Sequence, residues 1–279
     1  MKKIIYLLIM VLPLAAMSQD ENKTEFVVKG TPIAKIFFNF NQQVAPDFDV
    51  SGFQLTRAYL GYNFELSENF SGRVVYDVAD PEINIGDTLK GSSSLHYTGN
   101  IRVAAMKYKK DAFTINFGVI DLTQHKVQET FWGHRYIYKS FQDENKFTHA
   151  ADLGAHAEYK FSEMLSMDFT IRNGEGFKNL QKNNKFREGL GITANINKLT
   201  FRFFGDAAQG DTDNGQEHQY SLAAFAGLKL EKITLGAEYA LQTNAGNKAD
   251  REMSGFSVYS NYQFTKKVEF FGRFDHLTS

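Results

Sequence analysis

About a dozen segments of this chain alternate apolar with polar residues at a period of two, and the connections joining them come short and long by turns. Leu153, Ala155, Ala157, Tyr159 and Phe161 are apolar, while Asp152, Gly154, His156, Glu158 and Lys160 between them are small, polar or charged. Leu165, Met167, Phe169 and Ile171 then interleave with Ser166, Asp168, Thr170 and Arg172. Successive side chains of a strand point to opposite faces, so each segment has one apolar and one wet face. The period alone does not say which face is inside, because a soluble sandwich shows it too.

Connection lengths favour one answer. Short turns fall at 67–69, 109–111, 162–163, 197–198, 231–232 and 265–267. Loops fall at 42–51, 79–94, 121–149, 173–186, 206–219 and 243–253. Barrels of the bacterial outer membrane carry short periplasmic turns and long external loops, whereas a sandwich has no reason to sort its turns by parity. The fold expected is therefore all-β, a transmembrane antiparallel up-and-down β-barrel in the outer membrane of a Gram-negative bacterium.

The start of the chain agrees. Lys2 and Lys3, the apolar run Ile4 to Leu14 and the small residues around Ala16 and Ser18 read as a cleavable signal peptide over 1–18. That run is shorter than the roughly 20 residues of a spanning helix. Removing Lys2 and Lys3 with it leaves 29 basic against 32 acidic residues, a formal net charge of −3, which gives no reason to expect nucleic acid. The chain has 0 cysteines, so neither disulfides nor a lipid-accepting cysteine enter. A negative mean hydropathy beside 14% aromatics fits a barrel whose lumen is wet.

Residues 19–279 read as one domain. About thirteen strands are counted, the last at 268–275, and parity makes it rise outward without a partner. Barrels close with even numbers because an open edge in lipid is costly. The expectation is a chain truncated at its C-terminus, with three further strands giving about sixteen.

The wet faces carry Lys35, Arg57, Arg73, Asp77, Asp152, His156, Glu158, Lys160, Asp168, Arg172, Arg202 and Glu238, the candidate pore-lining residues. So many charges would be prohibitive in a dry core, so water is expected inside. Their mixed signs imply weak ion selectivity. Pairing between neighbouring strands, which would only strengthen the wall, is an equal alternative for any one of them. Connection 121–149 is the candidate constriction. It holds the chain's 1 Trp, Trp132, with Phe131, Tyr136, Tyr138 and Phe141, too many aromatics to hang in water. Folded inward, it would set Gln128, Glu129, Trp132, His134, Arg135 and Tyr136 at the narrowest point. A loop packed over the mouth or against a neighbouring subunit is the competing reading.

The stretch 131–147 (FWGHRYIYKSFQDENKF), the NGEG at 173–176 and the FQLTRAYLGY at 53–62 resemble the porins of Bacteroidota, relatives of the phosphate-selective porin O and P family. The resemblance implies a sixteen-stranded channel, commonly a trimer, with an inward loop at this place. It implies phosphate selectivity less strongly, since the mixed lumen has no arginine ladder or lysine cluster. The expected partners are outer-membrane lipid and lipopolysaccharide, further copies in a homotrimer, and small hydrophilic solutes in transit. No catalytic residue, cofactor or metal is expected. Residues 211–217 lack the glutamate that completes a calcium loop. His156 beside Asp152 and Glu158 has no nucleophile, which argues against a barrel enzyme. The function expected is passive diffusion of small hydrophilic solutes and ions through a water-filled lumen, with a substrate-specific channel of the phosphate or anion type as the first alternative and a barrel enzyme or surface adhesin behind it.

Overall fold

A computed structural model describes residues 29–45, 48–79 and 97–279. The expected signal segment and most of connection 79–94 lie outside the described residues. One sheet contains 13 strands in sequence order, each antiparallel to the next. They are β1 (Lys29–Ala45), β2 (Phe48–Glu65), β3 (Phe70–Ala79), β4 (Thr98–Lys110), β5 (Phe113–Asp121), β6 (Ala151–Lys160), β7 (Leu165–Arg172), β8 (Arg187–Ile196), β9 (Leu199–Ala208), β10 (Gln219–Lys229), β11 (Ile233–Thr243), β12 (Met253–Thr265) and β13 (Val268–Thr278). Two short helices, α1 (Lys126–Trp132) and α2 (Phe141–Glu144), lie between β5 and β6.

Strand formation follows the alternation. In β10 the pattern puts Gln219, Ser221, Ala223, Phe225 and Gly227 on the buried side, while Tyr220, Leu222 and Ala226 between them are exposed. The outer face keeps its large apolar groups uncovered: Phe38 is 77% exposed and Phe117 66%. In water such a surface would be unstable, and in lipid it is the favoured one.

One expectation is corrected. Residues 42–51 are not a long loop: β1 and β2 pair without interruption from Lys29↔Glu65 to Ala45↔Phe48, leaving only 46 and 47 between them. Gln42 and Gln43 end the side-chain alternation, but the ladder is made by backbone groups and continues beyond it. The first hairpin is therefore 17 and 18 residues long, whereas a crossing takes about 9–11, so it projects past the rim on the long-loop side. Parity holds from β2 onward and fails at this hairpin.

The sheet curls round the 121–149 connection. That segment leaves β5, sends α1 against β10, β11 and β12, and returns to β6. On its other flank Lys126, Glu129, Arg135 and Tyr136 share a cavity with Ile33, Lys35, Tyr59 and Arg73 of β1 to β3. Among the described residues no strand pairs with the outer edge of β1 or of β13, so the sheet is not closed.

Candidate functional site: the lumen and the inward-folded loop

Helix α1 is brief because Gly133 ends it. This residue adopts φ 73°, and its N–H donates to Glu129 O at 3.0 Å. Val127, Gln128, Phe131 and Trp132 fall at i, i+4 spacings, which gathers one side of the helix toward the wall. Trp132, 3% exposed, packs edge-on against Tyr259 at 5.5 Å and Phe271 at 5.9 Å, and its Nε1–H donates to Tyr138 O at 2.8 Å. Phe131 meets Phe225 at 5.1 Å. A Cβ built on Gly227 would lie 2.5 Å from the Phe131 ring, so the wall is hollowed by that glycine to receive it. Further along, Phe141 and Phe147 are buried with Phe204, Ala223 and Ala240.

Hydrogen bonds fix the register of this contact. Tyr259 Oη donates to Gln128 O at 3.0 Å and Asn261 Nδ2 to Trp132 O at 3.0 Å. Gln142 Nε2 donates to Glu238 at 2.9 Å, Gln242 Nε2 to Phe147 O at 3.0 Å, and Arg273 to Lys139 O at 2.6 Å. Thr123 Oγ1 donates to Asp168 at 2.7 Å. Backbone carbonyls that burial strips of water are thus satisfied by wall side chains.

Beneath the loop the charged residues are paired. Asp206 accepts from Arg172 at 2.8 Å and from Arg187 at 2.8 and 3.0 Å. Asp168 accepts from Arg202 at 2.7 and 3.0 Å. Each bridge spans neighbouring or next-nearest strands, so these groups brace the wall. Asp152 accepts from the N–H of Gly174 at 2.8 Å and ties down the 173–186 connection. His156 lies 3.1 Å from Asn116 and 3.8 Å from Asp168, so its neighbours come from the flanking strands.

The opposite flank is open. At the long-loop end a cavity of about 640 Å³ reaches from Arg57 and Arg102 across to Arg187 and Gln242, and cavities of about 520 and 460 Å³ continue beside β1 to β5 toward the short turns. The first two share Arg102 and Arg135, and the last two share Arg73 and Asp121. Asp121 accepts from Arg102 at 3.0 Å and Arg73 at 3.2 Å, and Arg57 lies 3.3 Å from Asp77. On the loop, Arg135 bridges Glu129 and Asp143 at 3.0 Å each. Burial would raise the Glu129 carboxyl, but the Lys126 ammonium, His125 and Arg135 beside it hold it below its ordinary value. Burial pushes the His125 and His149 imidazoles down.

Of the residues the sequence singles out, Lys35, Arg57, Arg73, His156, Glu129, Arg135 and Tyr136 line these cavities. Asp77, Asp152, Glu158, Lys160, Asp168, Arg172, Arg202, Glu238, Gln128, Trp132 and His134 are not among their linings. Lys160 is exposed beside the short turn that follows β6. His134 stacks on Phe271 at 4.2 Å. Sequence reasoning missed Arg102, Arg187 and the aromatic sockets Phe204, Phe225, Tyr259 and Phe271. The signal was there: each socket sits at a wet-face position of its strand, where an aromatic needs something to cover it.

Known structures share this fold. OmpF of Salmonella typhi, solved with daunomycin, superposes with a TM-score of 0.60 at 12% identity over 90% of this chain and 78% of that one. The fold is that of an outer-membrane porin. The outer membrane channel DcaP of Acinetobacter baumannii gives 0.53 at 10% identity over 91% and 81% of the two chains. The outer-membrane expressed OmpT of Vibrio cholerae gives 0.53 at 12% over 90% and 75%. No protein-family model matches the sequence. No curated protein matches it either. The likeness to these porins is therefore one of fold.

Proposed function

We propose that this chain is a porin of a Gram-negative outer membrane, through which small hydrophilic solutes and ions diffuse passively. The observation that carries the reading is the asymmetry of the loop: docked against β9 to β13, it leaves two cavities along β1 to β5 that lead into a third at the long-loop end, which reaches across to Arg187 and Gln242. The loop then acts as the constriction, with Glu129, Arg135 and Tyr136 facing Lys35 and Arg73 across the gap. Residues 1–18 act as the export signal, lipid and lipopolysaccharide cover the exposed apolar face, and three copies assemble as a homotrimer. The protein has no catalytic role in this reading: His156 is held by Asn116 and Asp168 and has no nucleophile among its hydrogen-bond partners.

A preference for anions is favoured by one observation. The cavity of about 640 Å³ is lined by Arg57, Arg102, Arg135, Lys139, Lys146, Lys178, Arg187 and Arg251 against Asp143 and Glu175. Five of those cations, Arg57, Arg102, Arg135, Lys139 and Arg187, are ion-paired, so the preference is mild. The relation to the Bacteroidota porins near the phosphate-selective family belongs to the same proposal, supported by the aromatic stretch 131–147 folding inward. Reconstitution into planar bilayers tests the reading. Stepwise open-channel currents are expected, with a reversal potential in a KCl gradient displaced modestly toward chloride. A protein that inserts without current would overturn the porin, and a displacement toward potassium would overturn the anion preference.

A further inference from the structure

We propose that His125, Glu129 and Asp143 form a binding site for a borderline divalent cation of the Zn²⁺ type on the inward loop, where the ion competes with Arg135. His125 directly precedes α1 and Glu129 lies one turn on, so both present to one side, and α2 brings Asp143 to the same place. One ligand atom from each lies within 4.8 Å of the others. Tetrahedral coordination of zinc by nitrogen and oxygen sets donors about 3.4 Å apart, so closure by up to about 1.4 Å through carboxylate rotation completes three ligands, with water as the fourth.

His125 supplies the independent observation. Its side chain is 2% exposed, yet Nδ1 has no hydrogen-bond partner. A buried nitrogen left so is costly unless something binds it. An imidazole with two carboxylates suits zinc better than calcium or magnesium, which take oxygen ligands.

The carboxylates already attract cations. Arg135 takes Oε2 of Glu129 and Oδ2 of Asp143, and Lys126 takes Oε1 of Glu129 at 2.9 Å. A bound ion would free Arg135, which lines the cavities of about 640 and 520 Å³. Ion and guanidinium together would then make the constriction more positive.

Calorimetry on the full detergent-solubilised chain with ZnCl₂ tests the site, with CaCl₂ as control. One zinc per chain is expected, with calcium about tenfold weaker or more. His125→Asn is expected to weaken zinc by about tenfold or more, and the Glu129→Gln, Asp143→Asn pair to abolish it. Since those variants alter buried groups, Arg135→Gln provides the complementary reading: removing the competitor should tighten zinc about tenfold. Absence of zinc binding by the wild type and by Arg135→Gln would overturn the site, as would binding that survives the double carboxylate variant. The conductance arm alone rests on the porin reading. Zinc should move the reversal potential toward chloride, and binding without that shift would uphold the site and overturn the release of Arg135. Failure of the channel to conduct at all would overturn the porin and leave calorimetry to decide the site.

Discussion

The two flanks of the 121–149 loop are built from different chemistry. Toward β9 to β13 the contact is dry: Phe131, Trp132, Phe141 and Phe147 enter sockets made by Phe204, Phe225, Tyr259 and Gly227, and wall amides and hydroxyls cap the loop carbonyls. Toward β1 to β5 the loop and wall stand apart, and arginines with acidic partners border cavities wide enough for water and small solutes. The same short segment thus supplies rigidity on one side and a passage on the other. An inward loop needs both, because without an anchored flank the charged flank would have no fixed position.

Substitutions should separate the flanks. Trp132→Ala removes the central anchor and should cost about 3–5 kcal/mol of loop docking, seen as a lower unfolding midpoint and noisier open-channel currents. An unchanged midpoint with quiet currents would break the comparison. Asp206→Asn leaves Arg172 and Arg187 buried without their shared carboxylate and should cost about 3 kcal/mol in denaturant unfolding. On the open flank Arg73→Gln disturbs a half-exposed pair and should change stability by no more than about 1 kcal/mol. Its effect should appear in the reversal potential, displaced toward cations. If Arg73→Gln destabilises as much as Trp132→Ala, the flanks are not distinct.

Acid should have a smaller effect. Burial lowers His125 and His149 from about 6.5, so between that value and their folded values the unfolded chain binds more protons. Their stabilisation is complete above about 6.5 and is lost as pH falls below it. Glu129, held below its ordinary 4.5, adds a contribution present above that value and lost as pH falls through its folded one. The unfolding midpoint should therefore be lower at about pH 5.5 than at about pH 7.5, and an equal or higher midpoint would remove these groups from the account.

The legibility of the sequence was uneven for physical reasons. Thirteen strands, their order and the face of each residue follow from period-two alternation, which no helix and no slipped register tolerates. The parity of connections could be read wherever turn residues are compact, and it failed at the first hairpin, where polar residues continue in the ladder. The aromatic loop was legible as something that must pack, through Trp132 and its neighbours, but not where. His156 illustrates the limit: along the chain Asp152 and Glu158 stand nearest, while across the sheet Asn116 and Asp168 hold it.

By itself the sequence determined the strands beyond the first hairpin, the lipid-facing and wet faces, and the segment that leaves the wall, because these depend on interactions between near neighbours in the chain. Only the tertiary structure decided which wet-face charges became wall braces and which line cavities. That depends on where the loop lands, and its landing site, from Phe204 to Phe271, lies more than 50 residues further along the chain. Contacts over such separations are set by shape and burial across the curled sheet, and neither is written in any local pattern.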